Sequence, residues 1–266
     1  GNSLEPGAVS FTNVVDGDTV AASATVDTSA TSTSVNFVAG SYTQTAGTSL
    51  TGADAANYTF AGFTTGTENY TIDPRALSGA DIATASSTYG NSLEPGAVSF
   101  TNVVDGDTVA ATATVETSET STSGNPVAGT YTQTAGNSLT GTDAPNYTFA
   151  GFTTGTENYT IEQRALTITA DDQERVYGNS FSLDGTEFTV GAPTANTGLV
   201  EGEAVTTVNL TSTATDPTAD AGDYTLTADS VTAGSGGFAS SNYAITFEDG
   251  TFTVNQRELE ISADDQ

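Results

Sequence analysis

Cysteine, histidine, methionine, tryptophan and lysine are all missing from this 266-residue chain, whose only cations are Arg75, Arg164, Arg175 and Arg257 against 33 carboxylates. Without His or Cys there is no imidazole base, no thiol nucleophile and no soft or imidazole metal ligand. Without Lys there is no Schiff-base chemistry. Only carboxylates, hydroxyls and four guanidiniums remain for chemistry, with which a paired-carboxylate hydrolase is still formally possible. The expectation is a protein that is not an enzyme and needs no catalytic cofactor.

The formal net charge of −29 excludes nucleic acid as a partner, because phosphate recognition rests on clustered Lys and Arg. It also disfavours anionic membrane surfaces. Such a chain repels itself at low ionic strength, and salt or divalent cations relieve the repulsion by screening it over about 8 to 10 Å in ordinary saline. No run approaches the roughly 20 apolar residues of a membrane span, and no secretory leader opens the chain. The expectation is an internal piece of a longer, exported protein without membrane insertion in this segment. Absent cysteine is compatible with an extracellular location.

What is present is repetition. Gly1–Ala22 and Gly90–Ala111 are identical, and between Gly1 and Leu77 only 11 positions differ from their counterparts at an offset of 89. A third copy is diverged but legible: "VYGNSFSLDG" at 176 answers "TYGNSLEPG" at 88, "LVEGEAVTT" at 199 answers "VVDGDTVAA", and "NQREL" at 255 answers "EQRAL". Solenoid units repeat every 20 to 50 residues or so, whereas about 90 residues is the size of a complete small domain. The predicted organisation is repeat 1 at residues 1–75, lacking its first strand, repeat 2 at 76–164 and repeat 3 at 165–257. Residues 258–266 would be the first strand of a following repeat, or of a neighbouring chain's open edge.

Thr, Ser, Ala, Gly and Val dominate, and short alternating runs mark strands, as at Tyr147 and Phe149, Tyr159 and Ile161, and Leu166 and Ile168. Tyr243, Ile245 and Phe247 run into Glu248-Asp249-Gly250 and out through Phe252 and Val254, which reads as a hairpin about an Asp-Gly turn. The predicted class is all-β: tandem small β-sandwich (Ig-like) domains of about six or seven strands, arranged as an extended rod, with a β-grasp-like bead as the alternative.

The series "YGNS", "DGDTV", "AGTYTQT" and "NYTIEQRALTITADDQERVYG" closely resembles the mostly-β, glycine-rich (MBG-type) repeats found in tandem in large bacterial surface and biofilm adhesins. Its most specific part is the joint between repeats; "DPRALSGADIATASSTYG" at residues 73–90 departs from it. The resemblance implies a structural spacer or matrix role at the bacterial cell surface, with no catalytic residues to carry over. A self-assembling filament subunit and a carbohydrate- or ice-binding module are the other readings. The partners expected are further copies of the repeat, within the chain or head to tail between chains.

Several clusters invite a site. Asp16-Gly17-Asp18 and Asp105-Gly106-Asp107, answered by Glu201-Gly202-Glu203, look like fragments of a calcium loop, yet a full loop needs about six oxygen ligands and no distal Glu follows. The plainer reading is a polar turn. Asp171, Asp172 and Glu174 sit where repeats 2 and 3 join and could hold Ca²⁺; the alternative is that Arg164 or Arg175 pairs with these carboxylates, Arg75, Arg164 and Arg257 being equivalent seam positions. Tyr42, Tyr131 and Tyr224 each follow Ala-Gly by two residues, as a tyrosine corner does. The Asn-Tyr-Thr triplets at 57, 69, 146 and 158 match a glycosylation pattern but read better as strand starts with an inward Tyr. Leu259, Ile261 and Ala263 form a candidate strand-exchange segment.

Overall fold

In the computed structural model, which describes residues 3–262, the chain is all-β: twenty-two short strands and, among the described residues, no α-helix, only four single 3-10 turns. It divides into two compact units. The first comprises Gly1–Ala83, Ala97–Thr114 and Thr134–Thr154, and the second Thr84–Gly96, Val115–Gln133 and Gly155–Gln266. The second repeat therefore contributes to both.

In the second unit the third repeat forms two sheets. Arg164–Ala170 lies between Phe188–Val190, antiparallel, and Tyr243–Glu248, parallel. The other sheet runs Gln173–Val176, Gly250–Asn255, Gly222–Ser235, Ala204–Thr211. Alternation along Arg164–Ala170 turns Leu166 and Ile168 inward, and Val208, Leu210, Leu226, Phe252 and Val254 of the other sheet share one core with them. Each such fully buried apolar side chain contributes about 1.5 to 3 kcal/mol. A third sheet, Gly129–Tyr131, Tyr159–Glu162 and Ala85–Thr88, adds Tyr159 and Ile161 to the same core. Two parallel pairings recur: the first two strands of the third repeat lie beside its last two, Gln173–Val176 beside Gly250–Asn255 as Arg164–Ala170 lies beside Tyr243–Glu248.

The hairpin expected at Glu248-Asp249-Gly250 does not form. Tyr243–Glu248 and Gly250–Asn255 belong to different sheets, so Asp249 carries the chain from one to the other. Gly250 does not take the positive φ that a type I′ turn requires. It is needed because the Ala170 carbonyl comes within 2.5 Å of where a Cβ would stand.

In the first unit Gln44–Ala46 lies between Ala24–Val26 and Phe63–Thr64, and Gly40–Tyr42 pairs with Tyr70–Ile72. Arg75–Ala76 runs parallel to Tyr147–Thr148, and Asp81–Ile82 pairs with Val98–Ser99. Arg164–Ala170 is one unbroken strand, but its counterpart is split because Ser78-Gly79-Ala80 stands where Thr167-Ile168-Thr169 would be. Edge-to-face pairs Phe11–Phe60 and Phe100–Phe149, with centroids 5.2 and 5.0 Å apart, fill the small cores. The tyrosine corners are real: the hydroxyls of Tyr42, Tyr131 and Tyr224 donate to the carbonyls of Val38, Val127 and Asp220 at 2.8, 2.7 and 2.9 Å.

One residue in the first unit is strained. Val35 has φ +65° with its side chain 79 % exposed, while Gly124 at the equivalent place has φ +84°. A β-branched residue in this region costs about 1 to 2 kcal/mol, more than glycine's extra unfolded-state entropy. Val35→Gly is expected to raise the stability of the first unit by about 1 kcal/mol, seen as a higher urea midpoint; an unchanged or lower midpoint would contradict the assignment of strain.

Candidate functional site

The same ring of hydrogen bonds is built three times. In the turns Asp16–Asp18, Asp105–Asp107 and Glu201–Glu203 the central glycines have φ of +95°, +91° and +86°, which swings the second acid back over the turn. That acid accepts the hydroxyl of a tyrosine forty residues on: Tyr58 to Asp18 at 2.8 Å, Tyr147 to Asp107 at 2.6 Å, Tyr243 to Glu203 at 2.6 Å. Each tyrosine oxygen in turn accepts the amide of Val15, Val104 or Val200 at 2.9, 3.0 and 3.1 Å. The carboxylate charge polarises the ring, so these bonds are the stronger, charge-assisted kind.

In the first unit the second oxygen of this acid holds the preceding repeat. Ser34 donates its amide to Asp107 Oδ1 at 3.0 Å, and beside it Thr33 donates its amide and its hydroxyl to Asp143 at 2.9 and 2.6 Å. The Ala39 amide adds a bond to Asn146 Oδ1 at 2.8 Å. The second unit repeats the arrangement with different chemistry. Ser123 donates its hydroxyl to Glu203 Oε1 at 2.6 Å, Tyr89 donates to the same oxygen at 2.5 Å, and Ala128 donates its amide to Asn242 Oδ1 at 3.0 Å. Tyr89 is wholly buried and meets Tyr243 edge-to-face at 5.6 Å. Where a Ser-Thr loop is seated, Tyr147, Tyr243 and Asn242 are buried; in the first repeat Tyr58 is half-buried and Asn57 exposed.

These contacts move the titrations. Burial pushes the Asp107 carboxyl up, but hydrogen bonds from Ser34, Tyr147 and Ser32 outweigh it and hold the group below the usual carboxylate range. The Thr108 amide and the Thr33 hydroxyl and amide hold Asp143 low as well. A carboxyl with a depressed folded value contributes stability that is present above its unfolded value, about 3.9, and lost as pH falls through the folded one. The first unit is therefore expected to lose stability below about pH 4, and Asp143→Asn to flatten that loss. Amide-resolved urea titrations between pH 5 and 2 check this; equal acid dependence in both proteins would count against it.

The other sequence candidates fall elsewhere. Asp16 and Asp105 are exposed on their turns, and among the described residues no three carboxylates converge as a metal cluster. Asp172 accepts the Thr251 amide at 2.7 Å and Glu174 the Asn255 side chain at 3.0 Å, while Asp171 is half-buried. Arg164 and Arg175 meet backbone carbonyls instead of the Asp171 and Asp172 carboxylates. Arg164, buried, donates to the carbonyls of Gly198, Tyr89, Ala195, Thr194 and Thr197 and to Asn91 Oδ1. Arg175, also buried, donates to the carbonyls of Ala214, Val176, Asn179 and Asp216. A guanidinium fork suits the clustered carbonyls of a tight turn, and no second charge has to be desolvated. Arg257 holds the Tyr177 carbonyl and Asn179 Oδ1 at 2.9 and 2.6 Å, just as Arg164 holds Tyr89 and Asn91; Arg75 is exposed. Tyr147 and Tyr159 of the Asn-Tyr-Thr triplets are inward and buried. Leu259 and Ile261 are 86 and 97 % exposed and outside any strand, while Ala263 lies outside the described residues.

Sequence reasoning identified the acidic turns but missed their tyrosine and serine partners. Residues 166–253, most of the third repeat, match the family model of the MBG domain (YGX type), a stretch that includes Tyr177-Gly178-Asn179. The resemblance is thus shown for this stretch. No curated protein and no solved structure matches the chain.

Proposed function

We propose that this chain, whose third repeat is similar to an MBG domain, is a non-catalytic array of structural repeats in a bacterial surface protein, serving as spacer or scaffold in adhesion or biofilm. The observation that carries the reading is the seat itself: the chain's most elaborate polar constellation holds the loop of one repeat on the acid and asparagine of the next, first at Asp107 and again at Glu203. Its hydroxyls and carboxylates are spent on one another, and the product of the interaction is a joint of fixed register. An array of this kind works by number, each copy adding length without new chemistry. A surface role accords with the 33 carboxylates, whose mutual repulsion is screened in salt water while their hydration keeps such a protein dispersed. Antibodies raised to the 266-residue chain should label intact producing cells; labelling only after lysis would sink the surface reading.

A second reading, a filament built by strand exchange between chains, draws on the exposed Leu259 and Ile261, which alternate as Leu166 and Ile168 do in the strand Arg164–Ala170. Electron microscopy at high protein concentration tests it: fibres support exchange, and dispersed single particles reject it.

A further inference from the structure

One turn is built twice in the second unit. Ala85–Thr88 and Gln173–Val176 each run parallel to a neighbouring strand, with Ser87 opposite Ile161 and Arg175 opposite Val254. Both ladders end alike, the Tyr89 amide on the Glu162 carbonyl and the Tyr177 amide on the Asn255 carbonyl, each at 2.9 Å. Gly90 and Gly178 follow at φ +82° and +81°, and the amides of Asn91 and Asn179 close the turns on the carbonyls of Thr88 and Val176 at 3.0 Å. Arg164 and Arg257 grip the two turns in the same way.

The difference is one inward side chain. Arg175 is buried, and its guanidinium donates to the carbonyls of Val176 and Asn179 within its turn and to those of Ala214 and Asp216 beyond it. Ser87 holds that place in the other turn. Its Oγ is buried without a hydrogen-bond partner, and it lines an open hollow of about 620 Å³ together with Thr88, Asn91, Ser92 and Glu94. Buried hydroxyls are nearly always paired, so an orphan beside a polar hollow points to a group that belongs there. The turn carbonyls that Arg175 satisfies have their counterparts in Thr88 and Asn91, both on the wall of the hollow.

We infer that this hollow binds a guanidinium group, that of an arginine presented by another protein. The group occupies the place of the Arg175 head, its planar fork donating to the carbonyls of Thr88 and Asn91 and to Ser87 Oγ. Glu94, exposed at the rim, offers the opposite charge, and a chain of net charge −29 draws a cationic partner before contact. This inference concerns one turn of the second unit and holds whether or not the protein is on a cell surface.

The test is an amide NMR titration of the full 266-residue chain with methylguanidinium, with methylammonium as the charge control, and with the blocked peptide acetyl-Gly-Arg-Gly-amide. Saturable shifts are expected at Ser87–Glu94 with methylguanidinium and with the peptide, and binding at least about fivefold weaker for methylammonium, a point charge without the fork. Ser87→Arg fills the hollow from within, so it should abolish these shifts and raise the urea midpoint of the second unit. Binding of methylguanidinium without binding of the peptide would assign the hollow to a small free cation and overturn the protein partner. No saturable shift, equal binding of methylammonium, or a Ser87→Arg chain that still binds or unfolds at lower urea would each overturn the inference.

Discussion

Arg164→Ala is expected to destabilise the second unit by about 3 to 5 kcal/mol. The side chain is buried, and its three nitrogens serve five carbonyls and Asn91 Oδ1 that converge from residues 89–91 and 194–198. The Thr197 carbonyl also accepts the Thr194 amide at 2.9 Å, but the others lie in turns directed at the guanidinium, so truncation leaves buried acceptors unsatisfied. Arg164→Lys should recover only part of the loss, because a single ammonium cannot span acceptors placed for a planar fork. Urea denaturation read at second-unit amides decides it. A loss below about 1 kcal/mol, the value of an ordinary exposed polar contact, would show that the guanidinium is not what ties the two turns together.

The second large effect is at Glu203. Its carboxylate accepts the hydroxyls of Tyr89, Tyr243 and Ser123 with almost no solvent exposure. Glu203→Ala strands three donors, two of them on fully buried rings, and is expected to cost about 2 to 4 kcal/mol after the relief of the buried charge is counted. Glu203→Gln keeps one acceptor oxygen and should cost less. The variants also have a pH signature. Burial, followed by the bond to Glu203, raises both Tyr89 and Tyr243, the latter well above the usual phenol range. For a raised group the stabilisation is complete below its unfolded value, about 10, and is lost as pH climbs through the folded one. The wild-type second unit should therefore weaken above about pH 10, and Glu203→Ala should show a shallower alkaline decline from its lower starting point. An alkaline profile parallel to wild type would indicate that the tyrosines do not depend on this carboxylate.

Much of the architecture was legible in the residues. Strand alternation at Leu166 and Ile168 and at Phe252 and Val254 gave the all-β class and the inward faces, and the Ala-Gly-x-Tyr spacing located three tyrosine corners. The Asp-Gly cue at 249–250 misled because a hairpin and a crossover between sheets both want a small, polar turn; only the approach of the Ala170 carbonyl distinguishes them, and that is a long-range fact. The seats were half legible. The acidic turns stand out as Asp-Gly-Asp, but their donors Ser34 and Ser123 lie 73 and 80 residues away in Ser-Thr-rich loops that look like any other polar linker. The arginines misled for a related reason: a sparse cation in an acidic chain suggests a carboxylate partner, whereas burial favoured neutral carbonyls that every residue carries and no sequence pattern marks.

The parallel pairing of a repeat's first strands with its last has a mechanical consequence. When the two ends of the third repeat are pulled apart, the load enters through Arg164–Ala170, held in parallel by Tyr243–Glu248 over six residue pairs, and through Gly250–Asn255, held in parallel by Gln173–Val176 over four, and each set must slide together. They cannot peel open one at a time, as a hairpin loaded at its open end would. A small domain of modest core can in this way resist tension out of proportion to its thermodynamic stability, since rupture under pull is governed by the unfolding rate.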